Sequence, residues 1–164
     1  SIIDNRITAN GRLSGDELKW LDKELSKSKD DTVLIFIHGP LVEPFHSSTH
    51  YTLNADEALK IIYKYKNPIA VFSGHYHTTK IKQVGNVLHV STPALVSYPN
   101  AFRIVRVNNE DNKAVFDIYF KETRLKDVQS RAKMMAFGSR LYYGKESDRT
   151  ATYTLDRKTT KEQN

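Results

Sequence analysis

At 164 residues and 39% hydrophobic content, the chain can build one modest core, and a single domain is the expectation. It contains no cysteine, which excludes disulfides and thiolate metal ligands, and it has no apolar run long enough to span a membrane. The net charge of +6 is uneven, with 14 Lys/Arg against 13 Asp/Glu in residues 1–120 and 11 against 6 in residues 121–164.

In chain order, Ser14 and Glu17 have the spacing of a capping box, and Leu18, Leu21 and Leu25 follow at helical intervals. That pattern predicts a helix and makes Asp16 a first-turn carboxylate favoured by the helix dipole rather than a metal ligand. Val33-Leu34-Ile35-Phe36-Ile37 is a continuous apolar run ended by His38-Gly39-Pro40, and it reads as a strand buried on both faces. Pro40 to Leu53 has no periodicity and holds Glu43, His46, His50 and Tyr51. A stretch of this kind either shapes a pocket or is a solvated loop, and neither His46 nor His50 is assigned to a metal. Asn54 to Tyr65 reads as a helix, with Asn54 as N-cap, Glu57 completing a capping-box-like pattern, and Ala58, Leu59, Ile61 and Ile62 as its buried stripe. Val71-Phe72-Ser73 is a second strand that runs directly into Gly74-His75-Tyr76-His77.

Strand, helix, strand in this order predicts a βαβ crossover with the two strands parallel, so that both end at the same sheet edge. His38, His75 and His77 then meet at the carboxyl edge, where open α/β sheets place their sites. Neutral imidazole is the commonest nitrogen ligand for zinc, manganese or iron. In extended backbone, His75 and His77 would point to one side about 6–7 Å apart, within reach of two ions about 3.5–4 Å apart. Gly74 would let backbone approach the site. Incidental loop histidines are the bland alternative, but three imidazoles at one edge are hard to explain by core packing.

Beyond the site, Thr79–Val84 and Val87–Ser91 predict a hairpin around Gly85-Asn86, and His89 inside it reads as structural. Phe102–Val107 and Ala114–Phe120 predict a second hairpin across Asn108 to Asn112. Leu125 to Phe137 has one apolar helical side, formed by Leu125, Val128, Ala132, Met135 and Ala136. Beyond Gly144 the chain is polar and unperiodic, suggesting a packed arm or a disordered end. The fold class expected is α/β leaning to α+β, with a parallel βαβ unit followed by antiparallel hairpins. Residues 1–122 form the domain and 123–164 a basic, partly helical extension. No nucleic-acid motif accompanies the basic charge, so a solvated tail is expected and nucleic acid is not an expected partner.

The motif Phe36-Ile37-His38-Gly39-Pro40-Leu41, the helix after it and Phe72-Ser73-Gly74-His75-Tyr76-His77 resemble the last two metal motifs of calcineurin-like metallophosphoesterases. The stretch Gly11 to Leu21, Thr92-Pro93-Ala94-Leu95 and Phe102 to Val107 add weaker similarity, so the resemblance covers roughly residues 10–120. Gly39 departs from the family, many of whose members carry a second histidine there. The family's Asp-X-His, Gly-Asp and Gly-Asn-His-Asp/Glu motifs have no counterpart, the single Gly15-Asp16 being a helix start.

The resemblance implies half of a four-layer α/β/β/α sandwich and a binuclear hydrolase of phosphate mono- or diesters, with a metal-bridging water as nucleophile. It implies two divalent ions (Mn, Fe or Zn), with His38 and His75 on one and His77 on the other. The general acid belongs to an absent motif, so no catalytic residue is assigned. The chain reads as the carboxyl-terminal half of such an enzyme, with the amino-terminal half of the same domain as its natural partner. Alone it is expected to be inactive, to bind one ion or none, and to self-associate. Two other function classes stay open: a non-catalytic metal- or anion-binding module, and a basic interaction protein acting through its tail. Compartment is undetermined, with a lean to the cytoplasm.

Overall fold

The computed structural model describes residues 9–137 and 139–157. Helix α1 (Gly15–Lys27) starts at the expected capping box: Glu17 N–H donates to Ser14 Oγ at 3.2 Å and Ser14 N–H to Glu17 Oε2 at 2.7 Å. Strand β1 (Val33–Ile37), helix α2 (Ala55–Lys64) and strand β2 (Ile69–Ser73) form the expected crossover, with β1 and β2 parallel in the register Val33↔Ile69 to Ile37↔Ser73. The hairpin β3 (Lys80–Val84) and β4 (Val87–Ser91) turns at Gly85, whose φ of 57° suits glycine. Strand β4 also lies parallel to β2, so this sheet has the order β1-β2-β4-β3.

Strands β5 (Ala101–Glu110), β6 (Lys113–Glu122) and β7 (Ala151–Asp156) make a second, antiparallel sheet. Helices α3 (Lys126–Met135), α4 (Ser139–Tyr143) and α5 (Glu146–Arg149) run between β6 and β7. The architecture is therefore mixed α/β, with parallel pairing first and antiparallel pairing after it.

Period-2 alternation sorts the central sheet's residues between two cores. Ile69, Val71 and Val87 face α1 and α2, where Leu18, Leu25, Ala58 and Ile62 cover them. Ala70, Leu88 and Val90 face the second sheet, against Ala114, Phe116, Ile118 and Leu155. Each large side chain fully buried in this way contributes about 1.5–3 kcal/mol. The layers are thus helices, sheet and sheet. Among the described residues no helix is long and apolar enough to cross a membrane.

Several local expectations need correction. Strand β1 is not buried on both faces: Leu34 is 41% and Phe36 75% exposed, because β1 is an edge strand that the second sheet does not cover. Asn54 precedes α2 but makes no side-chain cap, because its amide instead accepts from Leu13 N–H and donates to Leu13 C=O, both at 2.9 Å. Leu59 and Ile61 of its stripe are only partly buried. The second hairpin turns at Asp111 and Asn112 alone, since Asn108, Asn109 and Glu110 continue the ladder opposite Val115, Ala114 and Lys113. Residues 151–156, read as an unperiodic arm, pair with β6 and bury Leu155 in the core. The end of the basic extension, 158–164, lies outside the described residues.

The tail is also clamped by charge. Arg103 donates to the carbonyls of Ser91, Asp148 and Arg149, and burial pushes its pKa down to about 10 against the opposing pull of Asp148. The buried Asp148 carboxylate accepts from Ile81 N–H, Lys145 N–H and Lys80 Nζ at 3.1–3.2 Å.

His89 is structural, as its strand position suggests. Its Nε2 lies 3.0 Å from Tyr63 Oη, and burial pushes its pKa from 6.5 to about 4, with Lys82 adding to the shift. A depressed imidazole pKa means that the unfolded chain binds the proton more readily. The associated stability is fully present above about pH 6.5 and is lost as pH falls toward 4, a total of roughly 3 kcal/mol. Urea denaturation at pH 7 and pH 4.5 should show His89→Gln losing roughly 2–3 kcal/mol less than the parent over that interval. An equal acid loss in both proteins would remove His89 from the account.

Candidate metal centre

Register alone brings two histidine-bearing segments together. Strands β1 and β2 end level, and the next pair closes with Gly74 N–H donating to His38 C=O at 3.0 Å. The His38 and His75 rings then meet: Nε2 of His38 is 3.0 Å from Nδ1 of His75, with ring centroids 4.8 Å apart. A hydrogen bond between two imidazoles needs one nitrogen without a proton, so the pair cannot be doubly cationic. Burial pushes the His75 pKa below its ordinary value. The Ala9 backbone, near the ring without completing a hydrogen bond, opposes this, and His38, His50 and His77 add to it. Its Nε2 is shut from solvent and has no hydrogen-bond partner among the described residues.

His77 lines the same clefts as His75 but is oriented by a different element. Its Nδ1 is 3.0 Å from Ser97 Oγ. Ser97 sits in the loop after β4, which Asn100 folds by donating its N–H to Ser97 C=O at 2.6 Å and its side-chain amide to Leu95 C=O at 2.9 Å.

The extended geometry expected for Gly-His-X-His does not occur. The strand stops at Ser73, and His75 and His77 both have left-handed backbone, with φ of 63° and 51°. Gly74 is not a steric necessity either, since an added Cβ would stand 4.0 Å from His38 C=O. Gly39 is more constrained: a Cβ there would press to 2.7 Å against Thr52 Oγ1, so the space a side chain would need is filled by the 40–53 loop.

That loop supplies the residue the sequence left unassigned. Backbone bonds from Ala9 to Thr49, Gly11 to Tyr51 and Leu53 to Gly11, at 2.8–3.1 Å, hold it against residues 9–11. His50 is thereby set 5.3 Å from the His75 ring, its Nδ1 2.8 Å from Thr49 Oγ1. His46 lies apart, exposed and 3.6 Å from Glu43, and Asp16 is 97% exposed in the first turn of α1. Only a long-range pairing separates His50 from His46, which is why local pattern could not choose between them.

Three imidazoles, one of them with a buried Nε2 that has no partner among the described residues, are a donor chemistry that suits a divalent ion. Among the described residues, however, no group of three or more His, Asp or Glu is drawn together tightly enough to hold one unaided.

No family model matches the chain. It is 33% identical over 90 residues to a probable cyclic nucleotide phosphodiesterase of Fibrobacter succinogenes, covering 53% of this chain and 35% of that protein. It is 30% identical over 109 residues to a probable glycerophosphodiester phosphodiesterase of Arcobacter nitrofigilis, covering 65% of this chain and 38% of that protein. The chain thus spans little more than a third of the length of the curated relatives it matches. A dimetal phosphatase from Danio rerio shares its fold with a TM-score of 0.53 at 19% identity, over 63% of this chain and 34% of that one.

His75 and His77, two non-glycine residues of one loop separated by Tyr76, take left-handed backbone that stores strain of order 1–3 kcal/mol each, a cost that clusters at functional sites. Strain of this kind can be measured by removing the same side chain in two ways. His77→Gly should be about 1 kcal/mol more stable than His77→Ala in chemical denaturation, because glycine takes positive φ without a Cβ penalty. In an ordinary helix or strand the order would be reversed, and finding alanine the more stable would mean that the loop is not strained.

Proposed function

The chain is related, over 53% to 65% of its length, to the calcineurin-like metallophosphoesterases, and from that premise we propose that it belongs to a metal-dependent phosphoesterase acting on phosphate mono- or diesters. The observation that carries the proposal is the meeting of His38 and His75 at the carboxyl ends of two parallel strands, beside a His77 held in strained backbone.

In this reading His38 and His75 serve one ion and His77 the other, with Mn, Fe or Zn as candidates. Bound ions would supply Lewis acidity toward the phosphoryl oxygens and a water of lowered pKa. The chain's own residues prepare the ligands. Burial favours the neutral form of His75, the form that offers a lone pair, while its hydrogen bond to His38 must open when either nitrogen takes another partner. Ser97 restrains the ring plane of His77, as outer partners do for ligating histidines. The bridging carboxylates and the general acid are assigned to polypeptide outside this chain, against which the open face of β1 would pack. The 164-residue chain alone is then nearly inactive.

A second reading, non-catalytic binding of an ion or anion by the same imidazoles, draws on the lack of any closed ligand group among the described residues. Calorimetric titration with zinc and an assay on bis-p-nitrophenyl phosphate with added manganese test both readings. One weakly bound zinc is expected, weakened in acid as protons compete for the imidazole nitrogens and abolished in His75→Ala. Turnover by this chain alone should stay well under about 1 per second. Tight binding of two ions, or ordinary turnover, would contradict the division of the ligand set. Zinc binding indifferent to His75→Ala would move the metal elsewhere.

A further inference from the structure

A second feature borders the histidines on the side away from β1. A groove of about 930 Å³ runs between α3 and the loops carrying His50, His75 and His77. One wall is aromatic: Phe45 stands edge-on to Tyr76 and Tyr142, at centroid distances of 5.1 and 6.3 Å. The other is aliphatic: Val128, Ala132 and Met135 fall at i, i+4 and i+7 on one stripe of α3. Val128 is 48% and Met135 80% exposed, so the described chain leaves this stripe bare.

We propose that this groove binds the organic arm of the phosphate ester, and that this arm is a flat aromatic group rather than a polyol. The proposal rests on the phosphoesterase reading of the adjoining histidines and adds the substrate class. Aromatic side walls and a polarisable thioether favour a ring, which gains stacking and edge contacts there. A polyol would need free hydroxyl partners. Among the lining hydroxyls Ser47 and Thr49 are engaged with His50 and Ser97 with His77, which leaves the phenols of Tyr98 and Tyr142, whose rings offer a flat group stacking and edge contacts as well. Charge fits as well. Arg131 is the one Lys or Arg among the lining residues, and no hydrogen bond or ion pair occupies it among the described residues. A phosphate ester in the groove therefore shares it with a guanidinium that has donors to spare.

The test uses the full chain without added metal and two monoesters of equal charge, phenyl phosphate and glycerol 3-phosphate, followed by ligand-observed NMR. Phenyl phosphate should bind about tenfold more tightly, the scale of an added aromatic contact. Met135→Asp and Val128→Asp, both on an exposed helix face and checked for folding by circular dichroism, should each erase most of that preference. Equal affinity for the two esters, or a preference that survives both substitutions, overturns the proposal. So does phenyl phosphate binding that disappears as the chain self-associates, with Met135→Asp restoring the monomer, because the groove would then be a surface for polypeptide. Failure of the phosphoesterase reading looks different, as zinc binding indifferent to His75→Ala with the aromatic preference intact.

Discussion

The parallel pairing of β1 with β2 is the constraint on which the rest of this molecule depends. A shift of one residue would turn every side chain of β1 to the opposite face and carry His38 away from His75. Register is held from both ends. At the entry, Val33 N–H donates to Pro68 C=O at 2.9 Å, and the Asn67 amide donates to Ser28 and Asp31 carbonyls at 3.1 and 2.9 Å. At the exit, Gly74 N–H closes on His38 C=O. Between them, the packing of Ile69 and Val71 under α1 and α2 works only in this alignment.

The strained histidine loop is held from below by the segment after β6. Thr78 and Thr79 are buried, with Thr78 Oγ1 donating to Leu141 C=O and Thr79 N–H to Tyr142 C=O at 2.9 Å. Gly144, at φ 71°, passes so close to the Thr79 carbonyl that no Cβ could be accommodated. The Arg103 and Asp148 clamp then fixes the following turn against β3 and β4. The basic region thus braces the site loop through backbone contacts, and left-handed His75 and His77 persist because surrounding structure over-determines them.

What the sequence disclosed followed from how local each determinant is. The α1 capping box, the β3–β4 turn at Gly85 and the convergence of His38 with His75 all rest on patterns within a few residues or on one crossover rule, and they appear in the structure as read. Exposure of β1 was not legible, because an apolar run looks the same whether the opposite layer reaches it or stops one strand short. His50 was hidden because its position comes from residues 9–11, some forty positions away. Strand β7 did leave a signal in Ala151-Thr152-Tyr153-Thr154-Leu155, where Tyr153 packs against the core that buries Leu155, but its polar surroundings masked the period.

The surfaces left bare bear on the chemistry itself. Leu34, Phe36 and Phe72 on one side, with Val105 and Val107 opposite, form an apolar cleft of about 830 Å³ that ends at His38, His75 and His77. The α3 groove reaches His75 and His77 from the other side. His38 and His77 are exposed where they stand, and in water the field of a ligand or charge at such a site is weakened severalfold relative to a partly buried one. Covering either apolar wall would dry the imidazoles as well as bury hydrocarbon, so hydrophobic packing and electrostatic strength at this edge rise together. How strongly the histidine edge could hold a ligand therefore depends on what closes over it. The apolar residues beside it are costly to leave in water, so any cover would gain most by closing there.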